Sequence, residues 1–256
     1  MEMALDVRGS WLLAMLGFAA GAIVGSFLAT VLVRWPAGRS AATGRSKCDG
    51  CGAALGPLEL VPILSYLFSR GRCRRCGERI DRRHLAVELV AALIGAAALL
   101  LGGWPLGAAG AILGWWLLIL AALDIEHHWL PDRLTLPLIP AGLFVAAAGI
   151  GPPLVDRLIG AAAGFLLLWA IGAGYAWLRG REGLGGGDPK LFAAIGAWLG
   201  WQFLPFVMLG AGLLGLAALL VLRLRGSAVA ATDRLPLGTL MAACAWPLWL
   251  LLPFGL

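Results

Sequence analysis

Long apolar runs separated by short polar stretches dominate this chain, and their lengths predict helices of membrane-crossing size. Eight such segments are expected, at about 11–33, 84–103, 105–123, 134–151, 154–178, 190–202, 204–222 and 235–255. The 190–202 segment is short for a full crossing, so it is expected to start inside a polar site or to tilt little. Gly-rich stretches such as Gly210-Ala211-Gly212-Leu213-Leu214-Gly215 suit close helix–helix packing, because small residues let backbones approach. In the first run, Ala20-Gly21-Ala22 looks like a signal-peptide cleavage site. The apolar stretch nevertheless continues to Val33, and the basic residues follow it rather than precede it, so a retained helix is expected.

Composition agrees with this pattern. The chain is 61% hydrophobic and 13% charged, with a mean hydropathy of +0.88, outside the range of an ordinary soluble domain. The expected fold is an all-α polytopic membrane protein with about eight transmembrane helices. A small cytoplasmic four-cysteine domain, zinc-ribbon-like, is expected between the first and second. The corresponding division is 1–33, 34–83 and 84–256.

Charge sets the orientation. Eleven of the twenty Lys and Arg residues fall in 34–83, from Arg34 to Arg83, with Arg45 and Lys47 among them. If that segment is cytoplasmic, eight alternating crossings also place Arg133, Arg179, Arg181, Lys190, Arg223, Arg225 and Arg234 inside. Only Arg8 and Arg157 are left out, and both termini face outward. The formal charge of +6 is thereby explained by topology, and nucleic acid is not needed as a partner.

The 34–83 segment carries Cys48-Asp49-Gly50-Cys51 and Cys73-Arg74-Arg75-Cys76. Two C-x-x-C pairs about twenty residues apart match a structural four-thiolate zinc site, with Gly50, Gly52 and Gly77 suited to the tight turns. Neighbouring arginines favour the thiolate forms. Two disulfides, or four idle thiols, are the other readings, and a reducing cytoplasm disfavours the disulfides. Cys244, in the last run, reads as a small buried hydrophobe. Between the pairs, Glu59-Leu60-Val61-Pro62-Ile63-Leu64-Ser65-Tyr66-Leu67 is too apolar for a solvated linker and too short to span. It is expected to dock on the membrane surface or close over the bundle, with Glu59 either a site residue or a solvated surface glutamate.

Two aspartates carry the candidate chemistry. Asp124 follows a long apolar run, and Asp132 lies behind the helix-ending Pro131. Asp188 follows Gly185-Gly186-Gly187 and precedes Pro189 and Lys190. A carboxylate near lipid is costly, so each is by default a functional-site hypothesis. The bland readings are a helix end among headgroups for Asp124, and N-caps for Asp132 and Asp188. The three glycines are expected to open backbone conformations closed to other residues and to let a substrate strand approach. The topology puts Asp124 and Asp188 on one side of the membrane. If they meet, they form an acid/base dyad: one ionised carboxylate takes a proton from water as it attacks a peptide carbonyl, and the protonated one polarises that carbonyl. Glu126 and His127-His128 do not form a His-Glu-x-x-His, so a metalloprotease reading is weak.

With these residues in place the chain resembles the type IV prepilin peptidases, bifunctional leader peptidase/N-methyltransferases of the bacterial inner membrane. The resemblance runs from about Gly25 to the final span. It rests on Gly25-Ser26-Phe27-Leu28 with Arg34-Trp35-Pro36, the four-cysteine loop with Leu60 to Tyr66, Leu130 to Leu138, and Gly185-x-Gly187-Asp188-x-Lys190-Leu191. It implies that Asp124 and Asp188 are catalytic, with Gly185, Gly187, Lys190 and Asp132 in support. It implies a methyltransferase-associated 34–83 domain and a protease domain over 84–256. Its substrates would be type IV prepilins or type II secretion pseudopilins. Their short basic leader is cut on the cytoplasmic side, typically after a glycine. The new amino terminus, usually phenylalanine, is methylated from S-adenosylmethionine. Where the family commonly has Phe-Gly-Pro near the last helix, this chain reads Leu235-Pro236-Leu237-Gly238-Thr239, a departure expected to leave the dyad untouched. No Rossmann-type strand pattern is present, so the methyl-donor site rests on resemblance alone. The rival readings are a proton-coupled transporter using the aspartates as relays, a leader peptidase without methylation, and a G-x-G-D protease for other membrane substrates.

Overall fold

A computed structural model describes residues 2–41, 46–48, 50–181, 183–226 and 235–252; Arg45, Asp49 and Arg234, named above, lie outside them. Among the described residues the chain is helical: α1 Glu2–Arg34, α2 Leu64–Phe68, α3 Arg82–Gly102, α4 Leu106–His127, α5 Asp132–Ala147, α6 Leu154–Arg179, α7 Asp188–Leu199, α8 Leu204–Leu224 and α9 Leu237–Leu251. The only extended pairing among them is two isolated bridges, Lys47 with Ala54 and Arg72 with Arg79. A helix occupies each of the eight apolar segments. Five stretches are long and apolar enough to cross a membrane: Gly9–Arg34, Arg82–Gly102, Leu106–His127, Leu154–Arg179 and Trp201–Leu224. The chain is a multi-pass membrane protein. The other three helices, α5, α7 and α9, have 16, 12 and 15 residues, below the roughly 20 that a full crossing needs.

The chain divides into two compact units, Met1–Ile119 and Leu120–Leu256, the boundary falling within α4. In the first, α1 and α3 approach backbone to backbone. A Cβ on Gly17 would strike the Gly95 carbonyl, and one on Gly95 the Gly17 carbonyl, so only glycine fits at this crossing. The Trp115 indole N–H of α4 donates to the Ala91 carbonyl of α3 at 2.8 Å. Helix α3 begins at Asp81, whose carboxylate accepts the Arg83 backbone N–H at 2.9 Å.

In the second unit α7 is the central element, packed by α5, α6, α8 and α9. Apart from Lys190, every residue of it is buried. Gly196 of α7 and Gly160 of α6 meet as Gly17 and Gly95 do: a Cβ on Gly160 would lie 2.5 Å from the Gly196 carbonyl oxygen. Trp198 of α7 donates its indole N–H to the Leu138 carbonyl of α5 at 2.9 Å and meets Trp249 of α9 edge to face, centroids 5.5 Å apart. Arg157 of α6, fully buried, donates to the carbonyls of Pro152, Gly142 and Ile150 and stacks over Trp249. Its charge is held by carbonyl dipoles and an aromatic face. The outward surface is apolar instead of polar, with Trp169 and Ile171 on α6 and Leu209, Leu213 and Leu216 on α8 exposed, as a lipid solvent requires.

Gly196→Ala drives a methyl group into the Gly160 carbonyl and should cost about 1–3 kcal/mol of stability. Gly212→Ala, whose Cβ would meet nothing within 4 Å, should cost nothing. Thermal melts of both variants in detergent check the contrast.

Candidate active site and four-cysteine centre

Asp124 lies near the end of α4, in the second unit, and is only 5% exposed. Such burial demands hydrogen bonds, and they come from the start of α9. The Thr239 backbone N–H, one of the amides that a helix start leaves without an intrahelical partner, donates to Asp124 Oδ2 at 2.8 Å. The Thr239 hydroxyl lies 2.9 Å from the Ala121 carbonyl and 3.3 Å from Asp124 Oδ2, and donates its one proton to either. The Leu235–Thr239 stretch therefore holds Asp124, correcting the expectation that its departure from the family pattern leaves both aspartates untouched. Thr239 is the residue of this candidate site that sequence reading did not single out. The available signal was its position just past Pro236, where a new helix must begin with unpaired amides.

Asp188 is 8% exposed and is the first residue of α7, with Gly187 as the N-cap and Pro189 in the first turn. Its Oδ2 accepts the Gly185 backbone N–H at 3.0 Å. None of Gly185, Gly186 and Gly187 has a positive φ, so the triplet is not there for unusual backbone conformations, contrary to expectation. Two of the three serve by lacking a side chain. A Cβ on Gly185 would lie 3.0 Å from Asp188 Oδ2, and one on Gly187 2.6 Å from Leu130 Cβ. Leu130 also reaches Gly238, where a Cβ would lie 2.8 Å from Leu130 Cδ1 and 3.0 Å from Asp124 Oδ2. The leucine thus packs against Gly187, which precedes Asp188, and Gly238, which precedes Thr239. Asp124 and Asp188 lie near enough for the charge on one to act on the other.

Asp132 is the first residue of α5, behind an N-cap Pro131, and so is not itself the cap. Its carboxylate pairs with Lys190 Nζ at 2.6 Å, tying the starts of α5 and α7 together. Glu126 and His127 face each other at 3.7 Å. His128 closes the end of α4 through its backbone N–H to the Asp124 carbonyl at 2.9 Å.

In the first unit the four cysteines converge. The sulfurs of Cys48, Cys51, Cys73 and Cys76 all lie within 4.8 Å of one another, the only such metal-competent group among the described residues. Cys48 and Cys76 are 3.8 Å apart, which is about the edge of a tetrahedron whose corners sit roughly 2.3 Å from a central zinc. The two turns repeat one design. Gly52 N–H donates to the Cys48 carbonyl and Gly77 N–H to the Cys73 carbonyl, both glycines at positive φ. Cys48 N–H closes on Ala53, and Cys73 N–H on Glu78. Backbone amides of Cys76 and Arg75 turn toward the Cys73 sulfur and bring its thiol down to about 7. At Cys76 the Glu78 amide acts in the same sense, but desolvation and the three neighbouring thiols outweigh it and push the thiol up to about 12. Sulfurs this close cannot all ionise without a cation among them, and the donor set fits one.

Glu59 accepts the Gly56 N–H at 2.8 Å, which makes it a turn residue, and its side chain also lines a cavity below the knuckles. The apolar Leu60–Leu67 stretch folds as a 3-10 turn and α2, and it is tied to α3 by the Ile63 N–H donating to Glu88 Oε2 at 2.7 Å.

The type IV leader peptidase family model matches residues 111–220, and the bacterial peptidase A24 N-terminal domain model matches residues 19–101. A prepilin leader peptidase/N-methyltransferase of Burkholderia pseudomallei is 43% identical over 250 residues, covering 87% of this chain and 80% of that protein. One from Pseudomonas aeruginosa is 37% identical over 88% of this chain and 86% of its own length. One from Dichelobacter nodosus is 36% identical over 78% and 69%. No solved structure matches the chain.

Gly187→Val should displace Leu130 and lower stability by about 1–3 kcal/mol. Lys190→Gln removes only a partly exposed ion pair and should change it by less than about 1 kcal/mol. Differential scanning fluorimetry in detergent checks the ranking.

Proposed function

The chain belongs to the type IV leader peptidase family, and from that premise we propose that it is a membrane aspartic endopeptidase that removes the basic leader of type IV prepilins or type II secretion pseudopilins and N-methylates the new terminus. What supports the proteolytic half is the setting of Asp124 and Asp188: both are buried, each accepts a backbone amide, and Leu130 packs against the glycine next to each contact.

Two carboxyls at short range share one proton, because both cannot ionise together. The ionised member takes a proton from water as the oxygen attacks the scissile carbonyl, and the protonated member donates toward the carbonyl oxygen. The pair titrates as a unit, so the roles belong to the dyad. Thr239 and Gly185 hold the two carboxyls through backbone amides, and Leu130 packs against Gly187 and Gly238 beside them. The Asp132–Lys190 pair and the small Gly185 and Gly187 support the arrangement.

Cys48, Cys51, Cys73 and Cys76 hold a structural zinc that ties the two knuckles into a zinc-ribbon-like domain over 34–83. Four thiolates leave no open coordination position. S-adenosylmethionine supplies the methyl group for the second activity. The apolar runs support eight spans, the short α5, α7 and α9 included, and the distribution of Lys and Arg favours both termini outside, with the 34–83 segment and the dyad on the cytoplasmic side. The 84–256 segment is the protease domain.

In detergent, with a leader-bearing prepilin as substrate, wild type should yield the shortened product with one added methyl, weighed by mass spectrometry. Asp124→Asn and Asp188→Asn should each reduce cleavage by about 10²–10⁴-fold or more. Retained cleavage in either variant would overturn the dyad. A transporter would instead tolerate one Asn with altered coupling. Elemental analysis should find one zinc per chain, lost in Cys73→Ser.

A further inference from the structure

The four-cysteine knuckles do not sit directly on the helices of the first unit. A cavity of about 470 Å³ lies beside Cys48 and Cys73, bounded by the ends of α1 and α3 and by α2. That volume is in the range of small-molecule sites and far exceeds what a metal ion fills. None of the residues proposed for the proteolytic chemistry lines it.

The lining is mixed in charge. Six Lys and Arg residues, Arg34 and Arg72 among them, line the cavity together with four acids, Glu59, Glu78, Asp81 and Glu88. A pocket built for a phosphate or a lipid headgroup gains nothing from carboxylates interleaved with its cations. A ligand that carries both signs uses both. Glu88 is the most telling of these residues. It is 6% exposed, lies in the early part of α3 and lines the cavity, yet its one protein contact of note is the Ile63 backbone N–H at 2.7 Å. A carboxylate so buried beside apolar helices is costly to keep. The backbone it holds is itself strained, Ile63 having φ +63°, outside the conformations a β-branched residue prefers. Tyr66 stands at the wall with its ring against Gly71, where a Cβ would lie 2.8 Å from the ring and hydroxyl. The cavity therefore offers a buried anion, a fixed aromatic face and guanidinium groups within one enclosure.

We propose that this cavity is the binding site of the methyl donor, an adenosyl sulfonium amino acid, with Glu88 as its buried carboxylate. The inference rests on the methyltransferase half of the proposed function. The chemistry matches group by group: a carboxylate for the sulfonium cation or the ribose hydroxyls, an aromatic ring for the purine and an arginine for the α-carboxylate. The zinc knuckles then form one wall of the pocket, which gives a closed four-thiolate centre a role in the second activity without any metal chemistry.

The test measures binding of S-adenosylhomocysteine to the full-length, zinc-loaded protein in detergent by isothermal titration calorimetry. Glu88→Gln keeps an acceptor for the Ile63 N–H while removing the charge, and should weaken binding by about tenfold or more. Thr30→Phe, which fills the cavity from α1, should abolish it. Zinc content and melting temperature identify any variant that misfolds. If both variants keep their zinc and bind as wild type does, while wild type methylates prepilin, the site is wrong and the methyltransferase reading stands. If wild type neither binds nor methylates, the methyltransferase reading fails, and the site with it. Competition for the cavity by phosphatidylglycerol in nanodiscs, with no effect of S-adenosylhomocysteine, would make it a lipid headgroup site and overturn the proposal.

Discussion

A carboxylate in an apolar bundle must have its hydrogen bonds supplied by the protein, because neither lipid nor dry helix faces can supply them. That requirement organises the second unit. Asp124 obtains its partner from the first turn of α9, and Asp188 from the loop before α7. Helix starts are where a membrane protein keeps unpaired backbone amides, so both acids are placed beside one. Helix α9, which supplies the first amide, and α7, which begins at Asp188, are both among the short helices.

Placing helix starts so deeply requires tight packing around them. Helix α7 is buried along nearly its whole length, and the lack of side chains at Gly160 and Gly196 lets α6 close on it. Away from the site, Trp198, Trp249 and Arg157 lock α5, α6, α7 and α9 through indole and guanidinium donors to main-chain carbonyls. Packing of this kind holds the settings of Asp124 and Asp188 in place, as the proposed dyad requires. Leu130 adds a further contact, packed against both Gly187 and Gly238.

The first unit solves a different problem. Its segment between α1 and α3 is rich in arginine and poor in large buried side chains, so it cannot form a core of its own. Two knuckles of identical hydrogen-bond pattern bring four sulfurs together, close enough to hold a metal ion that would stand in for the missing core. The apolar Leu60–Leu67 stretch folds back on α3 through Glu88, which leaves a walled cavity where a loop packed by side chains would have been solid.

By itself the sequence determined the class and most of the parts. Runs of apolar residues specify helices because lipid leaves the backbone no other way to pair, and a helix stands at each of the eight. Paired C-x-x-C spacing determined the metal-competent centre, since each knuckle is a local turn that needs only its own glycine. The positions of Asp124 and Asp188 at the ends of apolar runs were legible for the same local reason. Contacts across the chain were not. The Thr239 amide on Asp124, the ion pair from Lys190 to Asp132 and the fit of Leu130 against two glycines depend on which helix starts meet. The glycine triplet shows the limit most clearly. Its composition implied freedom of φ, whereas its use is space for a carboxylate and a leucine, because steric room is a property of neighbours that only the tertiary structure supplies.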